Sequence, residues 1–352
     1  MATSDEKLMA ERPSAARHIT QADVARFAGV STAVVSYVVN GGPRPVAVET
    51  AERVRQAIDV LGYRPNEQAR ALTLGRSGTI GFVMSEGLNP LRAEFISELT
   101  VAANQVGMRI VTANVGQDDE LARDIDNLMA QRVDGLLFAS SAARADIILN
   151  SRLGDTPVVF IDMPGPILAQ RTIGVDAQGA AEQLVTHLIE VHGHRGVALI
   201  IGDHGFGNPD PRERGWWQAL KSAGLGESPL VRVPFSMSGG YYGGLQILAG
   251  RPRPTAIFAS SDQQAFGLLR AINEQGLRVP EDVAVVTYDG TRLTEFTPPP
   301  LTVARQPITA IAEAAISLLG KSVGPAGRHI ALQAELVIRS SCGCGPTPPP
   351  AR

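Results

Sequence analysis

Two helix-start signals with a single glycine between them constrain the first part of this chain more than any other feature. In ITQADVARFAGVSTAVVSYVVNGG, residues 19–42, Thr20 precedes Asp23 by one turn, so a hydroxyl can cap free amides and an acid can sit at the positive helix end. Gly29 tolerates a positive φ, Val30 is apolar, and Ser31 offers a second cap. The stretch predicts helix, tight turn, helix. The second run is rich in valine and could pass for a strand, but Val34, Val35, Val38 and Val39 recur at helical spacing rather than at every other residue. Thr32, Ala33, Ser36, Tyr37 and Asn40 then share the opposite, short and largely polar face. In a helix-turn-helix such a face enters the DNA major groove; in a plain helical hairpin it would only permit close packing.

A third helix is expected from about Val48 to Leu61, with Ala51, Val54, Ile58 and Leu61 on one face and Gly62 ending it. NEQARALT, residues 66–73, looks helical by composition but has few apolar residues, and so short a helix needs a partner or a surface. Residues 1–76 carry ten Lys plus Arg against eight Asp plus Glu, a balance of +2 against −5 for the remainder of a chain whose net charge is −3. With so small an excess, phosphate contacts must come from placement. Arg26, Arg44, Arg53, Arg55, Arg64 and Arg70 are available, helped by helix N-termini and hydroxyls such as Thr20 and Ser31.

From Ile19 to Leu74 these residues resemble the amino-terminal domain of the lactose-repressor (LacI/GalR) family of bacterial transcription regulators, most specifically in ADVARFAGVSTAVVSYVVNG and ETAERVRQAIDVLGYRPNEQARAL. The resemblance implies a helix-turn-helix head at 19–63 and a hinge helix within 64–78 that orders when a dimer sits on its operator. It puts Thr32, Ala33, Ser36, Tyr37 and Asn40 at the groove, Arg64 and Asn66 near the hinge, Leu72 in the minor groove, and Ala69 where the backbone comes close. An apolar wedge of that kind partly unstacks a base step. Tyr37 departs from the pattern: many members carry there an arginine that reads guanine, and a phenol cannot make that bidentate contact.

From Thr79 onward the pattern changes to short apolar runs separated by helical stretches: 80–84, 109–115, 135–139, 157–162, 196–201, 230–235, 255–260 and 283–289. Near-continuous apolar strands alternating with helices predict parallel sheets covered on both faces, here two doubly wound subdomains. This part resembles the sugar-binding periplasmic proteins that the same family uses as its sensor, a periplasmic-binding-protein-like α/β domain spanning 79–340. The family's chain path implies one subdomain of 79–162 plus 291–321 and another of 163–290 plus 322–340, with three crossings.

Ligands of such folds bind at the carboxyl ends of the strands. Polar residues there include Ser85, Asn89, Asp162, Ser261, Asp262 and Asp289, with Arg212 in NPDPRERGWW at a helix start. Carboxylates accept paired bonds from hydroxyls, arginine donates in a planar fork, and an aromatic face covers the apolar side of a pyranose. The resemblance assigns Asp162, Arg212, Ser261 and Asp289 to effector contact and Phe235 to stacking on the ligand, although Asp162 and Asp289 could equally brace hinge strands; Ser85 joins the effector-binding candidates from its place at a strand end. It implies a sugar or related metabolite as effector and no cofactor.

At 352 residues, 44% hydrophobic and 19% charged, the chain is long enough for two or three globular units. No apolar run approaches the roughly 20 residues that span a bilayer. Residues 1–18 are polar and lack the apolar core of a signal peptide, so a disordered tail and a cytoplasmic location are expected. Cys342 and Cys344 do not match zinc-finger spacing and are expected to be exposed in a tail at 341–352. His187, His192 and His194 fall at a helix end and the next loop, with no cysteine or acidic ligand set beside them, so no metal site is expected. Phosphate-loop, dinucleotide and nucleophile-elbow motifs are absent, and no catalytic residue is assigned, although paired carboxylates at a cleft can hydrolyse glycosides. The expectation is a regulator of repressor type, a homodimer or a tetramer, that binds double-stranded operator DNA and no membrane. An inducer and a corepressor would need the same parts.

Overall fold

The computed structural model describes residues 19–40, 45–64, 76–85, 89–115, 118–139, 153–163, 170–203, 209–320 and 327–345. The chain forms two compact units, one ending at Ser77 and the other beginning at Gly78.

The first unit contains α1 (Gln21–Ala28), α2 (Thr32–Asn40) and α3 (Val48–Leu61). Thr20 and Asp23 make a reciprocal capping box: the Thr20 N–H donates to Asp23 Oδ2 at 3.0 Å, and the Asp23 N–H to Thr20 Oγ1 at 3.4 Å. Gly29 takes φ 65° and ends α1, and α2 leaves at 107° to it. Ser31 Oγ accepts from the Val34 N–H at 3.3 Å, so the second start signal is also used. Val24, Val35 and Val54, one from each helix, are fully buried, and Val34, Val38 and Val39 pack around them. Burying each valine is worth about 1.5–3 kcal/mol, which is what holds three short helices together.

The second unit holds two six-stranded sheets. The first has the order β11-β5-β4-β3-β1-β2, all parallel: β1 (Thr79–Ser85), β2 (Arg109–Val115), β3 (Gly135–Ala139), β4 (Val158–Ile161), β5 (Arg171–Val175) and β11 (Arg328–Leu332). The second has the order β12-β10-β9-β8-β6-β7: β6 (Val197–Gly202), β7 (Leu230–Val233), β8 (Ala256–Ala259), β9 (Ala284–Asp289), β10 (Thr302–Arg305) and β12 (Glu335–Val337). Only β12 runs antiparallel, against β10.

Helices cover both faces. In the first sheet, Ile80 and Phe82 pack toward α4 (Pro90–Gln105) and α10 (Ile308–Leu319), while Val83, Leu136 and Phe138 pack toward α5 (Asp118–Ala130). In the second, Val197, Leu199 and Ile201 face α6 (Ala177–Glu190) and α7 (Pro211–Ser222). Ala198 and Ile200 face α8 (Met237–Leu248) and α9 (Asp262–Glu274). Alternate side chains bury on opposite faces, so both parities are apolar and the strands read as unbroken runs.

Strand membership corrects the expected subdomain boundaries. Residues 163–290 do not all belong to the second subdomain, because β5 pairs with β4 in the first sheet, with Ile161 beside Ile173. Nor do 291–321 all belong to the first: β10 extends β9 in the second sheet, and only α10 returns to the first. Of 322–340, β11 joins the first sheet and β12 the second. The crossings therefore fall at Asp176, at Gln306 and Pro307, and between Leu332 and Glu335. The Asp176 N–H donates to Leu332 O at 2.9 Å, tying the first crossing to the third. The physical reason is edge pairing: after β4 the chain turns back to satisfy the open edge of its own sheet before leaving it.

The expected tail at 341–352 is also corrected over 341–345, the remainder lying outside the described residues. Ser341 and Cys342 are buried, in a 3-10 turn at Ser340–Cys342. Ser341 Oγ donates to Val285 O at 2.6 Å and accepts from the Thr302 N–H at 2.8 Å, so this turn closes over β9 and β10. Among the described residues, no single helix is long and apolar enough to cross a membrane.

Candidate functional site

In the first unit the polar face of α2 stands as its spacing predicts. Thr32 and Ala33 are exposed, and Ser36, Tyr37 and Asn40 are half-buried beside them. Asn40 Nδ2 donates to Ser36 Oγ at 3.2 Å, which fixes two of the polar groups relative to each other. Gln21 Nε2 donates to Thr32 O at 3.3 Å and holds the start of α1 against the start of α2. Thr20 and Ser31 are exposed at the two helix starts while serving as caps, and Arg64 is exposed just after α3. Asn66, Ala69 and Leu72 lie outside the described residues, as does most of the expected hinge at 64–78.

In the second unit, polar groups gather at the carboxyl ends of the second sheet around Arg212. Its position follows from a local start signal: Asp210 caps α7, Pro211 opens it, and Arg212 sits in the first turn. The Asp210 carboxylate grips the guanidinium through both oxygens, Nε to Oδ1 at 2.9 Å and Nη2 to Oδ2 at 2.8 Å, and also accepts the Arg212 N–H at 2.8 Å. Nη1 donates to Ser260 O at 2.9 Å, beyond the end of β8. Two rings flank the same cation, Phe235 at 4.9 Å and Tyr288 at 5.4 Å from ring centre. Gly202 makes room for Phe235, because a Cβ there would overlap the ring. Burial works against the Arg212 charge, yet Asp210, with Asp289 and Tyr288, more than offsets it and holds the guanidinium above its usual range.

Behind this group lie two buried acids. Asp262 Oδ2 accepts the Thr291 N–H and hydroxyl, each at 2.7 Å, and Asp289 Oδ1 accepts Gln306 Nε2 at 3.0 Å. Asp289 adopts φ 105°, a left-handed backbone uncommon for a residue with a side chain. Desolvation pushes Asp262 up to about 7 against the pull of Thr291. Desolvation first, and then the neighbouring Asp262, hold Asp289 well above the carboxylate range. Such a pair can hold a proton at neutral pH and so presents both a donor and acceptors.

The other expected residues have these local settings. Ser261 caps α9, its Oγ accepting the Gln264 N–H at 3.4 Å, and is buried. Asn89 caps α4 through the Leu91 N–H at 3.0 Å. Asp162, from the first sheet, follows β4 at φ 63° and is exposed, and its charge helps raise both Tyr288 and Asp289. Ser85 ends β1. Sequence reasoning brought Arg212, Phe235, Asp162 and Asp289 to one end of the fold but passed over Asp210, Tyr288, Thr291 and Gln306. Asp210 could have been found from its Asp-Pro-Arg helix start.

Comparison with known proteins bears on both units. The model for bacterial regulatory proteins of the lacI family matches residues 20–66, and that for the periplasmic binding protein-like domain matches 185–342. The HTH-type transcriptional repressor PurR of Histophilus somni (strain 129Pt) is 32% identical over 326 residues, covering 91% of this chain and 97% of its own length. The ribose operon repressor of Escherichia coli (strain K12) is 33% identical over 304 residues, 85% of this chain and 92% of its own. A solved structure of the lac repressor dimer bound to operator and the anti-inducer ONPF superposes with a TM-score of 0.79 at 28% identity, covering 92% of this chain and 99% of that one.

Proposed function

Because the chain belongs to the lacI family of bacterial regulatory proteins, we propose that it is a sequence-specific, ligand-responsive repressor that binds operator DNA as a homodimer in the cytoplasm. The observation that carries the ligand-responsive part is the Asp210–Arg212 fork set between Phe235 and Tyr288 at the carboxyl edge of a parallel sheet. A planar donor, paired acceptors and flanking rings suit a polyol: hydroxyls bond to the fork and the acids, and apolar C–H faces lie on Phe235. Asp162, Arg212, Phe235 and Asp289 are assigned to that contact, with Ser261 acting through the helix it caps. Ser85 is assigned to the opposite wall, at the end of β1. A sugar or closely related metabolite is the proposed effector, in keeping with the ribose operon repressor among the relatives.

In the head, Thr32, Ala33, Ser36, Tyr37 and Asn40 are assigned to the major groove, and Thr20, Ser31, Arg64 and Asn66 to phosphates. The Leu72 pair, with Ala69, is assigned to the centre of a near-palindrome. A ligand that differs in affinity for two arrangements of the sheets shifts their populations, and DNA affinity shifts with them.

Selection of bound duplexes from a random pool, in moderate salt to suppress non-specific phosphate binding, tests this reading. A near-palindrome is expected, with affinity that changes on adding one member of a sugar panel. Failure to enrich any sequence, with or without the panel, would overturn it.

A further inference from the structure

The two cysteines and two of the three histidines that looked unrelated in sequence meet in the fold. His187 lies in the last turn of α6, His192 in the turn that follows, and Cys342 and Cys344 in the turn that closes the chain over β9 and β10. One ring nitrogen from each histidine and the two sulfurs all lie within 4.8 Å of one another. Cys344 Sγ is 3.6 Å from His187 Nε2 and 3.3 Å from His192 Nε2, and the two imidazoles meet edge to face at 5.0 Å.

We propose that His187, His192, Cys342 and Cys344 form a Cys2His2 site for Zn2+ that fastens the C-terminal end of the chain to the end of α6. Zinc bonds of about 2.3 Å to sulfur and 2.0–2.1 Å to nitrogen, set tetrahedrally, separate a sulfur from a nitrogen by about 3.6 Å. The two separations from Cys344 Sγ, 3.3 and 3.6 Å, already bracket a value near that. Four protein donors leave no open position, as in structural rather than catalytic zinc sites. Two sulfurs with two imidazoles is the donor set that tetrahedral Zn2+ takes. Binding would release the two thiol protons, and two thiolates with two neutral rings balance the dication, so a half-buried position carries no net charge.

The intervening residue also fits a formed site. Gly343 has φ 108°, and a Cβ built there would stand 3.0 Å from His192 Nδ1, so only glycine lets the two cysteines turn toward the histidines at this distance. His194 stands outside the cluster: its ring lies 6.3 Å from that of His192, and its Nδ1 is bonded to Thr255 Oγ1 at 2.8 Å. Ligands 157 residues apart in sequence would be joined, closing a long loop just downstream of the third crossing between sheets.

The experiment uses the full-length protein, reduced and freed of metal, with Zn2+ and Co2+ as probes. One Zn2+ retained per chain after desalting is expected, together with a Co2+ spectrum of tetrahedral intensity bearing thiolate charge-transfer bands. Cys344→Ser, at a half-exposed position, should lose zinc affinity by roughly 100-fold or more. Added zinc should raise the melting temperature of the wild type and leave that of Cys344→Ser unchanged. His192→Asn should reproduce the loss, which guards against a folding defect peculiar to the serine variant. Protein with two titratable thiols that retains no zinc would overturn the proposal. So would an octahedral Co2+ spectrum, or zinc affinity in both variants equal to that of the wild type.

Discussion

Asp210 and Arg212, two residues apart in the chain, form a two-pronged ion pair at 2.8 and 2.9 Å with only 5% and 15% of their side chains exposed. One caps the helix that the other helps to start, so the geometry of the fork is set by the first turn of α7 rather than by the rest of the cleft. A buried pair of this kind is costly to break from one side, because the surviving charge has no water to turn to.

Arg212→Ala should therefore abolish the effect of ligand on operator binding while leaving operator affinity without ligand unchanged. Asp210→Ala should lower the unfolding free energy in urea by about 3–5 kcal/mol, and the double replacement should recover part of that loss. An unchanged ligand response in the arginine variant would remove Arg212 from the site.

Asp262 and Asp289 predict a pH dependence. Burial raises Asp262 to about 7 and holds Asp289 up as well. Between about pH 4 and pH 7 the folded chain therefore keeps protons that the unfolded chain has lost, so stability falls as pH rises through that interval. Asp262→Asn keeps an acceptor for Thr291 and cannot ionise. The variant should show a flatter stability profile and exceed the wild type at pH 8 by on the order of 2 kcal/mol in urea unfolding. A wild-type profile that rises from pH 5 to 7 would contradict the assignment.

Thr20→Ala removes one half of the capping box and should destabilise the head by about 1 kcal/mol. Amide hydrogen exchange across α1 should then speed up by about fivefold, with α6 to α9 unaffected.

Two replacements separate base reading from minor-groove insertion. Tyr37→Arg should shift the selected base toward guanine at one position in each half-site, with discrimination of about 1–3 kcal/mol, read by repeating the duplex selection. Leu72→Ala should weaken operator binding for every sequence and leave sugar binding intact. Equal operator affinity in that variant would argue against insertion.

Much of this protein was readable from local signals. The capping box, the turn at Gly29, the helical spacing of the valines and Gly62 after α3 each act over a single turn, and all appear as expected. The eight apolar runs are all strands: β1, β3, β4, β6, β8 and β9 are buried on both faces and read as near-continuous apolar runs, whereas the edge strands β2 and β7 expose Arg109 and Arg232. RTIGV at 171–175 gave a weaker signal: it opens on arginine and threonine, and its Gly174 lies where a Cβ would overlap Met163 O.

What the sequence determined by itself was therefore each element whose cause lies within a few residues: caps, turns, periodicity, and the start of α7 that positions Arg212. The tertiary structure decided which sheet took β5, β10 and β11, since sheet membership depends on which open edge a strand meets. It also decided the pKa values of Asp262 and Asp289, which depend on how much water the packed fold excludes. It brought Cys342 and Cys344 to His187 and His192 as well, because no local pattern connects residues that meet only after two sheets and their crossings have formed.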